Sequence, residues 1–249
     1  MKVVILAGGK GSRISEYTNK IPKPMIKILN KTILEHIIEI YAKQSFIDFY
    51  ILTGYKGKLI KEYFNKFKLK KNFYKLGSLK KIIQIKFIPT GLNTMTGGRL
   101  KQIKNIIKKE NFMVTYGDGL ANINLKKLMD FHIKHKKIAS VTAVRPLSRY
   151  GILDIKGNSV LTFKEKLKLN YGWINGGFFI FNSKVFKLIK SKSSILEKYP
   201  LENLARKNQF KAFKHKGFWY SIDTKRDKEN LESLIKNKKK KLPWFTFNK

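Results

Sequence analysis

The stretch Val3–Met25, VVILAGGKGSRISEYTNKIPKPM, constrains this chain more than any other. An apolar run, Val3-Val4-Ile5-Leu6, leads directly into Ala7-Gly8-Gly9-Lys10-Gly11-Ser12-Arg13. A short β-branched run closed by glycine reads as a buried strand. Glycines directly after it let the backbone take up φ > 0 and expose its N–H groups. Such N–H groups cradle an anion, and Lys10, Arg13 and Lys23 add positive charge around them. A phosphate-rich ligand is therefore expected over residues 8–24. Pro22 and Pro24 stiffen the segment that carries Lys23, because a residue before proline avoids the helical region. That fixes where the lysine sits, which suits a ligand contact better than a solvated surface.

The remaining pattern gives the fold class. Thr32–Gln44 has apolar residues at helical spacing, Phe46–Thr53 reads as a buried strand, and a second helix is expected near Lys58–Phe67. Strands are expected at Ile82–Ile88, Phe112–Tyr116 and Ala139–Val144, with helices running to Ile107 and over Leu125–Lys136. Strand and helix alternation of this kind predicts an α/β fold, a Rossmann-like, mostly parallel sheet flanked by helices. Past Tyr150 the texture changes. Gly151–Ile155 and Ser159–Phe163 read as a hairpin, and Trp173–Phe181 as a further strand, together a smaller, partly antiparallel lobe. Asn175, beside Gly176 and Gly177, suits either close approach of backbone to a small polar ligand such as a sugar or a β-bulge. Helices around Val185–Ile189 and Leu201–Lys207, a strand Lys211–His215 and a last helix from Lys225 to about Lys238 complete the chain. Residues 68–81 show no clear periodicity and read as a surface excursion. The 249 residues are expected to form one domain, with the mostly parallel part over 1–145 and the smaller lobe and last helix over 146–249.

Composition narrows the function classes. The formal net charge is +38, but the lysines are spread along the chain and only six of the 54 basic residues are arginine. Arginine is the usual reader of base edges and phosphate forks, so this surface argues for salt-sensitive sticking to polyanions and not for specific nucleic-acid recognition. With no cysteine, thiolate zinc and cysteine nucleophiles are excluded. No apolar run reaches membrane-spanning length, and the apolar start is too short for a signal peptide, so a cytoplasmic protein without membrane insertion is expected. His36 lies among apolar neighbours on a helix, and His132 and His135 have neither a third ligand nor an adjacent acid to make a metal site.

Six aspartates occur in the chain, and Asp118, between Gly117 and Gly119 at a strand end, stands where ligands of open α/β sheets bind. A hard divalent cation bridging to substrate phosphates would explain a carboxylate there; a turn-forming aspartate is the alternative. Asp223 occupies a second strand end. Thr90–Leu100, with Gly97-Gly98 opening a helix and Arg99 in its first turn, is a second candidate anion or base contact.

Taken together, LAGGKGSR, KPM, TMTGGRL, YGDG, EK, INGGFF and FWYSIDT resemble the sugar-1-phosphate nucleotidyltransferases, in order and over residues 1 to about 245. Met95–Arg99 resembles the cytidylyl branch. The resemblance implies transfer of a cytidylyl group from CTP to glucose 1-phosphate, giving CDP-glucose and pyrophosphate for surface-polysaccharide sugars. It implies a nucleotide site of Leu6, Ala7, Gly8, Gly9, Lys10, Gly11, Ser12, Arg13, Lys23, Thr94, Arg99 and Gly117, with Arg13 and Lys23 catalytic. By the same resemblance 1–145 serves mainly the nucleotide and 146–249 mainly the sugar phosphate, Asp118 and Asp223 hold Mg²⁺, Glu165 and Lys166 meet the sugar phosphate, Asn175 and Gly176 meet the sugar, and the chain forms a homo-oligomer. The family's Glu-Lys-Pro is here Glu165-Lys166-Leu167. Another base or sugar, an inactive homologue and a polyanion-binding protein remain alternatives. A dinucleotide loop does not, because Ile14 stands where its third glycine belongs, and no P-loop motif is present.

Overall fold

The computed structural model describes residues 1–77, 79–146, 152–156, 158–164, 172–237 and 242–247. A nine-stranded sheet runs through the molecule in the order Phe210–His215, Ala139–Val144, Ile174–Asn182, Asn111–Tyr116, Lys2–Ala7, Asp48–Thr53, Ile83–Pro89, Phe73–Tyr74, Lys68–Lys70. All but Ile174–Asn182 and Phe73–Tyr74 run the same way, so the sheet is mixed and mostly parallel, as expected. The opening strand lies between Asp48–Thr53 and Asn111–Tyr116 and pairs in parallel with both.

Both faces of the sheet are covered. Val3, Ile5 and Ala7 point into one apolar cluster with helix Ile33–Ala42, while Val4 and Leu6 point into another with Leu100, Ile103 and Ile107. This is why the opening strand is apolar throughout and does not alternate. Helix Ile33–Ala42 begins with a capping box: Thr32 Oγ1 accepts the Glu35 N–H (3.1 Å) and Glu35 Oε2 accepts the Thr32 N–H (2.8 Å). Asn124 caps helix Leu125–His135 by accepting the Lys127 N–H at 2.9 Å.

Two features differ from the pattern-based expectation. Residues 68–77 contribute two short strands to the sheet edge and bury Tyr74 and Leu76, so the excursion is part of the sheet. Of the expected lobe, the hairpin Ile152–Lys156/Ser159–Lys164 forms a two-stranded sheet of its own, whereas Ile174–Asn182 lies deep in the main sheet. After the last helix the chain returns to the core: Trp244, in the turn Pro243–Phe245, is fully buried and meets His36 edge-on at 4.9 Å.

Candidate nucleotide-binding site

The carboxyl ends of the parallel strands open on a cleft of about 650 Å³. The first strand delivers the glycine loop there, and Gly11 adopts φ 67°, the left-handed conformation that glycine takes at no steric cost. Leu6–Arg13, Lys23, Thr94, Arg99, Gly117, Asp118 and Asp223 all line this one cleft, although the chain spaces them over more than 200 residues. Asp118 and Asp223 are brought together by a small ribbon. Gly119–Ala121 pairs antiparallel with Trp219–Ser221, and the Ile222 N–H donates to the Asp118 carbonyl at 3.1 Å.

Charge is concentrated at the mouth of the loop. Lys23 is 9 % exposed, and its ammonium lies 2.6 Å from Asp118 Oδ2 and 2.7 Å from Asp223 Oδ1. Arg13 Nη2 reaches the same Asp223 oxygen at 2.8 Å, and the Ser221 hydroxyl donates to Oδ2. Burial works to raise the Asp223 carboxyl, but the hydrogen bond and charge of Lys23, with the charge of Arg13, outweigh it and hold the group below its ordinary range. Asp227, which the sequence did not single out, accepts the N–H groups of Asp223 and Thr224 at 3.0 and 2.8 Å. It thereby fixes the backbone of Asp223 at the start of helix Lys225–Asn237.

Arg99 is turned away from the role of a surface contact. It is 4 % exposed, and its guanidinium donates to the carbonyls of Gly8 (2.9 Å), Thr53 (3.2 Å), Gly91 (2.8 Å) and Leu92 (3.3 Å) and to the Thr90 hydroxyl (2.6 Å). It fills the space beneath Gly8, where a built Cβ would come within 2.3 Å of the guanidinium. Burial lowers its pKa from the usual arginine value. Thr94 is likewise buried and donates to the Thr90 carbonyl at 2.6 Å. The glycine pair before Arg99 packs against residues 192–194. The Gly98 N–H donates to the Ser194 carbonyl at 3.0 Å, and a Cβ on Gly98 would meet the Lys192 carbonyl at 2.1 Å.

The wall that Tyr116 forms continues beyond the cleft lining into Asn175 and Gly176. The strand breaks register here: Val141 faces Phe179, while Ala143 faces Asn175. The bulge considered from sequence is thus present, and bulges re-aim side chains beside sites. Asn175 is exposed and donates from Nδ2 to the Tyr116 hydroxyl at 3.2 Å; the Gly176 carbonyl accepts from Trp219 Nε1 at 2.8 Å. Tyr116, Trp219 and Glu197, which meets the Tyr116 hydroxyl, were not legible as site residues in the sequence. Glu165 and Lys166 lie outside the described residues.

The comparisons with known proteins agree with this geometry. The family profile described as nucleotidyl transferase matches residues 2–237. The chain belongs to the nucleotidyl transferase family.

Within the family, this nucleotidyl transferase is 42 % identical to glucose-1-phosphate cytidylyltransferase of Salmonella typhimurium (strain LT2), covering 99 % of this chain and 100 % of that protein. It is 44 % identical to the probable glucose-1-phosphate cytidylyltransferase of Bacillus subtilis (strain 168), covering 90 % of this chain and 92 % of the relative. Among solved structures, HddC from Yersinia pseudotuberculosis superposes with a TM-score of 0.71 at 26 % identity, covering 94 % of this chain and 99 % of HddC. The fold extends to a UDP-glucose pyrophosphorylase complexed with UDP-glucose, with a TM-score of 0.71 at 19 % identity over 95 % of this chain and 98 % of that one. Among the described residues, no helix is long and apolar enough to cross a membrane.

Proposed function

We propose that this nucleotidyl transferase moves a cytidylyl group from CTP to α-D-glucose 1-phosphate, releasing pyrophosphate and forming CDP-glucose. One observation carries the reading: Lys23, Arg13, Asp118 and Asp223 converge at the mouth of the glycine-loop cleft. The base and sugar follow from the relatives, whose likeness spans the full chain.

The reaction brings two anions together, as a phosphate oxygen of the sugar phosphate attacks the α-phosphorus and pyrophosphate leaves. Its barrier is lowered mainly by positioning and charge neutralisation. Lys23 and Arg13 supply positive charge where the triphosphate meets the cleft, and the attacking phosphate oxygen needs no general base. Arg99 holds the loop to the ends of its neighbouring strands, so the N–H groups of residues 8–11 meet the phosphates preformed.

Asp118 and Asp223 fit a hard divalent cation, because both carboxylates already converge on one cationic centre, the Lys23 ammonium. Two carboxylates with substrate phosphates are the usual donor set for Mg²⁺. When bound, Mg²⁺ would supply Lewis acidity and charge at the phosphates.

Glu165, Lys166, Asn175 and Gly176 are proposed to receive the sugar phosphate. A cytoplasmic homo-oligomer feeding surface-polysaccharide synthesis completes the proposal. The deciding experiment measures pyrophosphate release with Mg²⁺ across four nucleoside triphosphates and several sugar 1-phosphates. Release with CTP and glucose 1-phosphate alone supports the reading. Preference for GTP with a heptose 1-phosphate would instead align the chain with the guanylyltransferase of Aneurinibacillus thermoaerophilus, to which it is 32 % identical. No release with any pair, beside tight DNA binding at physiological salt, would overturn it.

A further inference from the structure

Glu197 stands behind the cleft wall and accepts two hydroxyl hydrogen bonds. Tyr116 donates to Oε1 at 2.5 Å and Thr96 to Oε2 at 2.6 Å, and both donors line the cleft. The Thr96 oxygen in turn accepts the Leu196 N–H at 2.9 Å. On the far side of Tyr116, Asn175 Nδ2 donates to the phenolic oxygen at 3.2 Å, and Asn175 Oδ1 accepts the Gly177 N–H at 2.8 Å.

These bonds have one direction. The Gly177 N–H fixes which end of the Asn175 amide is the oxygen, so its nitrogen must face Tyr116. An ionised carboxylate is acceptor-only, so Tyr116 and Thr96 must both aim their hydrogens at Glu197. What remains beside the cleft follows from counting: exposed Asn175 has a second N–H on its nitrogen, and Tyr116, which lines the cleft, has a second lone pair on its oxygen. A donor and an acceptor side by side match a hydroxyl group, which both gives and takes a hydrogen bond. Burial, followed by the charge and hydrogen bond of Glu197, raises the Tyr116 pKa well above that of a free phenol, so Tyr116 stays protonated. The ring is held edge-on to Phe179 at 5.8 Å.

We propose that Glu197 is a positioning residue for sugar recognition, orienting Tyr116 and Asn175 to read a hydroxyl group of the sugar 1-phosphate. This rests on the reading that the Asn175 wall receives the sugar phosphate. In Glu197→Gln one carboxylate oxygen becomes a donor, so Thr96 or Tyr116 must reverse its hydroxyl. Each already accepts one hydrogen bond, from Leu196 or Asn175, so a reversed hydroxyl spends its second lone pair on the new N–H; at Tyr116 this removes the acceptor offered beside Asn175, at no change in side-chain size.

The test is a kinetic comparison of wild type, Glu197→Gln, Tyr116→Phe and the double variant, with CTP and glucose 1-phosphate varied separately. The expected result for Glu197→Gln is a rise of about tenfold in KM for glucose 1-phosphate, the scale of one hydrogen bond. KM for CTP and the thermal unfolding midpoint should stay near wild type. Tyr116→Phe should behave alike, and the double variant should be no worse than either single one. An unchanged sugar-phosphate KM, an equal rise in both KM values, or additive single effects would each overturn the proposal. A wild type that turns over a different sugar 1-phosphate breaks the functional reading alone, and the comparison is then made with that sugar. If the wild type turns over no sugar 1-phosphate, the proposal falls with the reading.

Discussion

On the glycine-loop wall of the cleft, Lys23, Arg13, Asp118 and Asp223 meet at 2.6–2.8 Å, and full charges set the geometry. On the Asn175 wall a neutral amide and two hydroxyls are ordered by one carboxylate, Glu197. The difference follows from what each wall is proposed to hold. A triphosphate is recognised by charge, which acts over distance and tolerates small shifts. Hydroxyl groups on a sugar differ only in where donors and acceptors stand, so they are recognised by hydrogen-bond direction. Losing a charge should therefore cost rate, and losing a direction should cost selectivity.

The largest effect should come from the charged wall. Lys23→Ala should lower turnover by about two to three orders of magnitude, the scale of removing one charge-stabilising donor. Steady-state pyrophosphate release measures this, and near-normal turnover would remove Lys23 from its role. Next comes the scaffold beneath that wall. Arg99→Leu would take one donor each from the carbonyls of Gly8, Thr53 and Gly91 and from the Thr90 hydroxyl, which should cost about 3 kcal/mol in denaturant unfolding and raise KM for CTP. If only stability falls, the guanidinium supports the fold without preforming the loop.

Two changes outside both walls calibrate the comparison. His132, 2 % exposed, shares the Ser140 hydroxyl with His135, at 2.8 and 2.7 Å. Burial first, and then the neighbouring His135, lower its pKa to about 4. The unfolded chain, with an ordinary value near 6.5, binds the proton first as pH falls, so stability is lost between pH 6.5 and about 4. His132→Gln should flatten that slope, removing up to about 2 kcal/mol of pH dependence in unfolding curves. Thr32→Ala removes the capping-box acceptor and should cost about 1 kcal/mol with both KM values unchanged. A KM change there would mean that helix Ile33–Ala42 communicates with one of the walls.

The glycine loop, the Lys23 segment and the two strand-end aspartates were readable because each is a local pattern: a strand closed by glycines, a lysine between prolines, a carboxylate at the end of a strand. The same local logic assigned Gly97, Gly98 and Arg99 to an anion or base contact. In the fold they pack on residues 192–194 and on backbone carbonyls, because a glycine pair marks any close backbone approach and does not say to what. The strand Ile174–Asn182 looked like part of a separate lobe for a related reason. Strand pattern gives the side-chain period, while partner choice in a sheet depends on residues far away in the chain.

By itself, then, the sequence determined the mostly parallel α/β sheet, the loop that follows its first strand and the glycines and charged residues that line the cleft. Hydrophobic periodicity and backbone freedom are properties of short windows, so they survive without the fold. Only the tertiary structure decided that Lys23 lies between Asp118 and Asp223, that Trp244 returns to the core beside His36, and that Glu197 sets the direction of bonds reaching Asn175. A glutamate in a loop among lysines carries no local mark of what it will accept, and its partners Thr96 and Tyr116 lie 101 and 81 residues away along the chain.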